Sequence, residues 1–197
     1  MTRIAALRAH RLPASWLQRD VRVVARELVG KVLVHGRRAG IIVETEAYRG
    51  PEDLASHARF GPTARTSVMF GPGGVSYVYL CYGIHEMFNV VTGAEGEGQA
   101  VLIRAVAPLL GLGDNASVGR GPGKVTRALG LSRSHDRQDL LRGSLFLARV
   151  PEAEPPPIAA GPRIGVDFAG DWAAEPYRFW WRDHPAVSRS VSTRRKR

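Results

Sequence analysis

The sequence has little sulfur and little lysine. Its only cysteine is Cys81, which excludes an intrachain disulfide and a cysteine-based zinc site. Cys81 sits in the apolar run YVYLCYG with no activating partner beside it, and is expected to be a buried packing thiol. Lys31, Lys124 and Lys196 are the only lysines among 28 basic residues, so 25 are arginine. Schiff-base chemistry, which needs a lysine amine, is therefore not expected. No run approaches the ~18 apolar residues of a membrane span. The opening stretch MTRIAALRAHRLPASWLQRD is broken by Arg3, Arg8, Arg11 and Arg19, so it lacks the uninterrupted apolar segment of a signal peptide. A soluble cytoplasmic chain with no membrane partner is expected, associated with the nucleoid if bacterial. The histidines show no metal-ligand spacing, and no catalytic metal is expected.

What is present is apolar content and positive charge. The 197 residues, 44% hydrophobic, suit one domain with one sizeable core. The formal net charge is +10. An excess carried by arginine suits a polyanion, because guanidinium forks onto phosphate and stacks on bases. Residues 189–197, RSVSTRRKR, read as a basic tail that adds non-specific phosphate attraction beyond an ordered core over 12–188.

Asp20 is a candidate N-cap for a helix VRVVARELV that stops at Gly30. KVLVHGRRAGIIVETEAY reads as a hairpin with strands over 31–35 and 40–48, followed by a long polar loop over 49–70. GPGGVSYVYLCYG becomes a strand and MFNVVTG the next, which puts Tyr82, Gly83, Ile84 and His85 at a hairpin tip. GQAVLIRAVAPL and GSLFLARV are further strands, and Pro122 opens a helix through Leu129. PEAEPPPIAAGP reads as a surface loop, with PRIGVDFAG and YRFWWR as closing strands. Strands outnumber helices and are joined by hairpins. The expected fold class is α+β: a single domain with a curved, mostly antiparallel β-sheet flanked by helices.

The segment VETEAY, residues 43–48, carries polar groups in an otherwise apolar strand. By alternation, Ile42, Glu44, Glu46 and Tyr48 point one way, and Ile41, Val43, Thr45 and Ala47 the other. Two carboxylates and a ring on one side make either a solvated face or a pocket with a general base and a stacking platform. Arg104, inside AVLIRAV, is either a water-facing edge residue or a buried cation that meets Glu44, Glu46 or a phosphate. Asn89 in MFNVV needs partners for its amide, from backbone or from a ligand edge. Tyr77 and Tyr79 share a strand face, where tyrosines commonly fill cores. Tyr82, at a tip beside Gly83, is either an exposed accident or a wedge into a base stack. His57 in DLASHARF is a structural or solvated loop residue unless it joins Glu46, Tyr48 and Asn89 in one pocket. GRGPGKVT fails the P-loop pattern, because Val125 follows Lys124 and Gly119 is one residue too close. Gly121 to Lys124, Gly123 included, form a helix N-terminus that is either a plain cap or a site for one phosphate.

In order and spacing, VETEAY, SHARFGPTARTSVMF, YVYLCYGIHEMFNVV, AVLIRA, GPGKVTRALGL, PRIGVDFAG and YRFWWRDHPAVS resemble the alkyladenine, or 3-methyladenine, DNA glycosylase family, from Leu12 to Ser188. The resemblance implies a curved antiparallel sheet, base flipping, no cofactor, and double-stranded DNA containing damaged purines as the partner. A monomer is expected of a domain that tracks along DNA. By position, Glu46 resembles the general base that activates the attacking water, and Tyr48 the ring that stacks on one face of the extruded base. His57 and Tyr79 match the residues packing its other face, with Tyr77 in support. Tyr82 matches the residue that fills the vacated space, and Asn89 the asparagine that disfavours the exocyclic amino group of guanine. Arg104 resembles the arginine that helps hold the water or a nearby phosphate; Lys124 and Gly123 remain candidates for a phosphate contact. Two positions depart from the family. Ala64 stands where proline is expected, which loosens the loop after His57. Ala107 stands where Glu is usual, which removes a carboxylate partner for nearby arginines.

The implied activity is that of a monofunctional base-excision-repair glycosylase. It would flip out alkylated or deaminated purines (the 3-methyladenine, 7-methylguanine, hypoxanthine class) and hydrolyse the N-glycosidic bond with an activated water, leaving an abasic site. Positioned proton transfer is worth about 10²–10⁴ in rate. Flipping costs a few kcal/mol, which stacking on rings offsets at about 1–3 kcal/mol per base. The competing reading is a non-catalytic basic nucleic-acid-binding module. Glu46 argues against it, since a carboxylate at the heart of a polyanion site weakens binding unless it does chemistry. A third reading is an enzyme on a related fold acting on a formyl or nucleotide substrate.

Overall fold

The computed structural model describes residues 3–150 and 153–188; the basic tail at 189–197 lies outside them. Helices α1 (Arg3–Ala9), α2 (Ala14–Leu17) and α3 (Val21–Leu28) come first. They lead to strands β1 (Val32–His35), β2 (Arg38–Tyr48), β3 (Ser76–Cys81), β4 (His85–Thr92), β5 (Gln99–Leu110) and the short β6 (Gly119–Arg120). Helix α4 (Pro122–Leu129) precedes β7 (Leu145–Ala148), β8 (Ile158–Gly161) and β9 (Arg178–Trp181). Among the described residues these nine strands form one sheet, with β3-β4-β5-β2-β1-β7 as its main path. Every pairing is antiparallel, so the fold is α+β with a few helices, as the hairpin-rich sequence implies. Among the described residues, no helix is long and apolar enough to cross a membrane.

Helix α3 begins where Asp20 accepts bonds from the amides of Arg22 and Val23, a cap worth about 1 kcal/mol. Val21, Val24, Ala25 and Leu28 recur at helical spacing and are buried. They pack with Ile42, Ala47, Ile103 and Val106 of the sheet and with Val125 and Leu129 of α4 in the main core.

The central strand β2 is what positions the site. Along one edge it pairs with β5. Along the other it pairs first with β1, over residues 38–41, and then with β9, over residues 44–46. Register shifts fall between Ile42 and Glu44 and between Glu44 and Thr45, where that second edge changes partner. Such bulges twist a strand and re-aim its side chains. The alternation expected for Ile42 fails for this reason. Ile42 and Ala47 enter the main core and Thr45 donates to the Ala25 carbonyl of α3, whereas Glu44 and Glu46 lie together against Arg104.

Two readings near the C-terminus are corrected. PRIGVDFAG is not a strand: its second half forms a 3-10 turn, Asp167–Ala173, with a kink at Gly170. The strand lies earlier, inside the segment read as a proline-rich loop, where Ile158–Gly161 pairs with β9. The proline run ends at Pro157, so it removes no donor from that ladder. The loop over 49–70 holds two further 3-10 turns, His57–Phe60 and Ser67–Phe70. Ala64 in place of proline does not leave the loop untethered. Arg137 donates to the Ala64 carbonyl at 2.8 Å and to Ser67 Oγ at 2.9 Å.

Candidate active site

A cavity of about 580 Å³ opens where the C-terminal half of β2, the β3–β4 hairpin, β5 and the loop after β8 meet. That size suits a small-molecule or single-base pocket. Tyr48, His57, Tyr77, Tyr79, Asn89 and Arg104 all line it, and Tyr82 stands at its mouth.

The two carboxylates of VETEAY have separate partners. Glu44, fully buried, accepts from Arg104 Nε at 3.1 Å, Arg178 Nε at 2.7 Å, and the Ser188 amide and hydroxyl at 2.7 and 2.8 Å. It latches the C-terminal segment to the sheet. The pairing of the arginines thus does not need a Glu at 107, where Ala107 packs in an apolar cluster with Val43, Ala105 and Ala186. Glu46 is also fully buried and does not line the cavity. Three groups that do line it hold its carboxylate from the cavity side. The Tyr48 hydroxyl donates to Oε2 at 2.9 Å, the Ile164 amide donates to Oε1 at 2.8 Å, and Arg104 Nη1 lies 3.3 Å from Oε1. Arg104 is 8% exposed and bridges both acids. Burial pulls its pKa down, but Glu46 and Glu44 outweigh this and raise it. Burial, then the charge of Glu46, pushes the Tyr48 phenol well above its ordinary value, so it stays a donor.

A second set of rings comes from β3 and from the turn at His57. The His57 ring meets Tyr79 edge-on at 4.6 Å between centroids, and Tyr77 lies 5.3 Å from Tyr79. His57 Nδ1 is 3.0 Å from the Tyr77 hydroxyl, which also accepts from Arg65 Nε at 3.2 Å. Burial first, then the cations Arg65 and Arg59, lower the His57 pKa to about 4. Its imidazole is neutral at pH 7 and offers a flat face. Asn89, buried on β4, donates to the backbone carbonyls of Tyr77 at 3.0 Å and Met87 at 3.4 Å. Both amide hydrogens are thereby engaged.

The β3–β4 tip is three residues long. Tyr82 takes φ 49° and is 91% exposed. A left-handed backbone costs a residue with a Cβ roughly 1–2 kcal/mol, and none of the described residues covers the ring. Cys81 is corrected: it is half-buried and lines the cavity. Gly123 and Lys124 do not join the pocket. Gly123 packs against the His85 ring, where a Cβ would lie 2.9 Å from Nδ1, and Lys124 is exposed on the first turn of α4. Only their neighbour Pro122 reaches the cavity.

The sequence reading missed the support behind Tyr48. Arg163 lies 4.9 Å from the Tyr48 ring centre and 5.3 Å from that of Tyr177. It forks onto Asp53 at 2.5 and 2.9 Å and donates to the carbonyls of Ala47 and Trp172. Both side chains of this ion pair are wholly buried. The only sequence signal was an arginine in the apolar PRIGV, which the strand reading absorbed. Arg65, 4.9 Å over the Tyr79 ring, and Phe168, on the cavity wall, were also unforeseen. Among the described residues no group of three or more His, Cys, Asp or Glu is gathered to hold a metal ion.

A protein of Myxococcus xanthus that bears the name of a 3-methyladenine DNA glycosylase is 52% identical over 193 residues, 94% of this chain and 97% of its own length. A protein of the same name from an Anaeromyxobacter species is 52% identical over 188 residues, 91% of this chain and 93% of its own. One from Legionella pneumophila is 43% identical over 184 residues, 91% of this chain and 99% of its own. The family model for methylpurine-DNA glycosylase (MPG) matches residues 15–185, and with relatives this similar over nearly the whole length, the chain belongs to the methylpurine-DNA glycosylase family.

Proposed function

We propose that this chain, acting as a monomer on double-stranded DNA, flips alkylated or deaminated purines into the aromatic cavity and hydrolyses their N-glycosidic bond with water. The 3-methyladenine, 7-methylguanine and hypoxanthine class is the substrate range. The observation that carries the reading is one buried acid, Glu46, held at the back of a ring-lined pocket on a chain of net charge +10.

Glu46 Oε1 already faces two donors, Ile164 N and Arg104. Among the described residues, Oε2 accepts only from Tyr48. A carboxylate oxygen has about two acceptor positions, so Oε2 retains the one that can take a proton from water. In our reading the extruded sugar draws water to the seam between Tyr48 and Arg104. The Glu46 carboxylate stabilises the oxocarbenium-like sugar as the bond to the purine breaks, and takes a proton from that water only as the water adds. The base leaves with the bonding electron pair, and hydroxide from the water adds to the sugar carbon. Arg104, 3.3 Å from Oε1, holds Glu46 in place. Tyr48, Tyr79 and His57 stack on the base, Tyr77 steadies them, Asn89 screens the purine edge, and Tyr82 fills the gap left in the duplex. A cationic methylated purine should gain most from the tyrosine faces. Lys124 and Gly123 would take a phosphate outside the pocket.

Glu46→Gln tests the assignment. Binding to damaged duplex should persist while release of free base falls by about 10²–10⁴. Release near the wild-type rate sinks it.

A further inference from the structure

The mouth of the cavity carries more exposed aromatic surface than Tyr82 supplies. Phe60 is 66% and Phe168 is 65% exposed. They come from different turns, yet one guanidinium joins them: Arg59 Cζ lies 4.5 Å from the Phe60 ring centre and 5.1 Å from that of Phe168. Arg59 is itself held by a bond to the Leu54 carbonyl, and Leu54 is 48% exposed. Neither phenylalanine belongs to any core cluster among the described residues, so packing does not explain them. Phe168 also forms part of the cavity wall, which makes the stack continuous with the pocket. It is separate in sequence from the Tyr82 hairpin.

A ring–cation–ring stack at the edge of a base pocket is chemically suited to nucleic acid. Bases stack on aromatic faces and guanidinium reaches the phosphate between them. We propose that Phe60, Arg59 and Phe168 form a second DNA contact, which takes the base next to the extruded nucleotide on the rings and its phosphate on Arg59. This rests on the DNA reading of the pocket. It adds a hold on the neighbouring nucleotide that leaves the gap itself to Tyr82.

The test uses the full chain with Phe60→Ala, Phe168→Ala, the double variant, Phe168→Trp and Arg59→Met. Affinity is measured for a duplex carrying a stable abasic-site analogue, across salt concentrations, beside single-turnover base release. Removing largely exposed rings leaves the melting temperature unchanged. The double variant should weaken abasic-duplex binding roughly 5- to 150-fold, as loss of one stacked base would. Phe168→Trp should retain binding. Arg59→Met should lower the salt slope by about one. Equal affinity of wild type and double variant overturns the proposal, as does a wild-type dimer that the double variant dissolves, because the patch would then belong to a second copy. If the wild type releases base and the phenylalanine variants bind as it does, this contact alone fails. If the wild type binds duplex but releases no base, the reading of Glu46 fails, and the contact is still judged by affinity.

Discussion

The buried pair of Asp53 and Arg163 should decide how firmly the pocket wall is held. Consider Asp53→Asn. The mutant keeps its shape but strands a guanidinium whose side chain is wholly buried with that of Asp53. Two short bonds, at 2.5 and 2.9 Å, lose their charge assistance. Breaking one side of a buried ion pair costs about 3–5 kcal/mol. In a chain of this size each kcal/mol moves the melting point by about 2–4 °C, so a fall of roughly 6–20 °C is expected. Arg163→Met should cost a similar amount by leaving Asp53 uncompensated. The double variant should recover part of the loss, since neither charge is then unpaired. Urea unfolding of both singles and the double closes the cycle, and a coupling of about 2 kcal/mol or more is expected. Single variants that each cost under about 1 kcal/mol and simply add, as independent sites do, would refute a tightly coupled pair. Arg163 also backs the Tyr48 ring and directly precedes Ile164, whose amide bonds Glu46. Arg163→Met should therefore slow base release beyond what its unfolded fraction explains.

Two further outcomes follow from the site. The His57 imidazole should titrate near pH 4 by NMR, against about 6.5 in the unfolded chain. The unfolded state then binds the extra proton between these values, so this group's share of stability is present above pH 6.5 and is lost as pH falls toward 4; a midpoint at 6 or higher would refute its desolvation. Tyr82→Gly should relieve the left-handed backbone and raise stability by up to about 1–2 kcal/mol, while lowering base release, because the ring is 91% exposed and has little packing to lose. A drop in both stability and release would mean the ring packs in the free chain.

The legible parts of the fold were those set by local rules. Asp20 capped α3, Pro122 opened α4, and the β3–β4 hairpin turned at Tyr82, each fixed by its own neighbours. Where a tertiary partner decided, the reading failed. Strand Ile158–Gly161 is named by β9 and not by its own composition, which is alanine-rich after three prolines. The side chosen by Ile42 depends on bulges that arise where β2 exchanges β1 for β9. In the site, family resemblance brought seven residues to one cavity. It did not reveal that Glu46 is sealed behind Tyr48, Arg104 and Ile164, or that Glu44 serves the C-terminal segment. Both outcomes rest in part on residues distant in sequence: Ile164, 118 positions from Glu46, and Ser188, 144 positions from Glu44.

That long reach bears on how the molecule matures. Glu44 gathers ligands 60, 134 and 144 positions downstream, and contacts so distant form slowly because the intervening loops must first be closed. A nascent or half-folded chain would already display its arginines and cling to any nucleic acid. Discrimination of a damaged base would arrive only when the last strand clicks home beside the two acids.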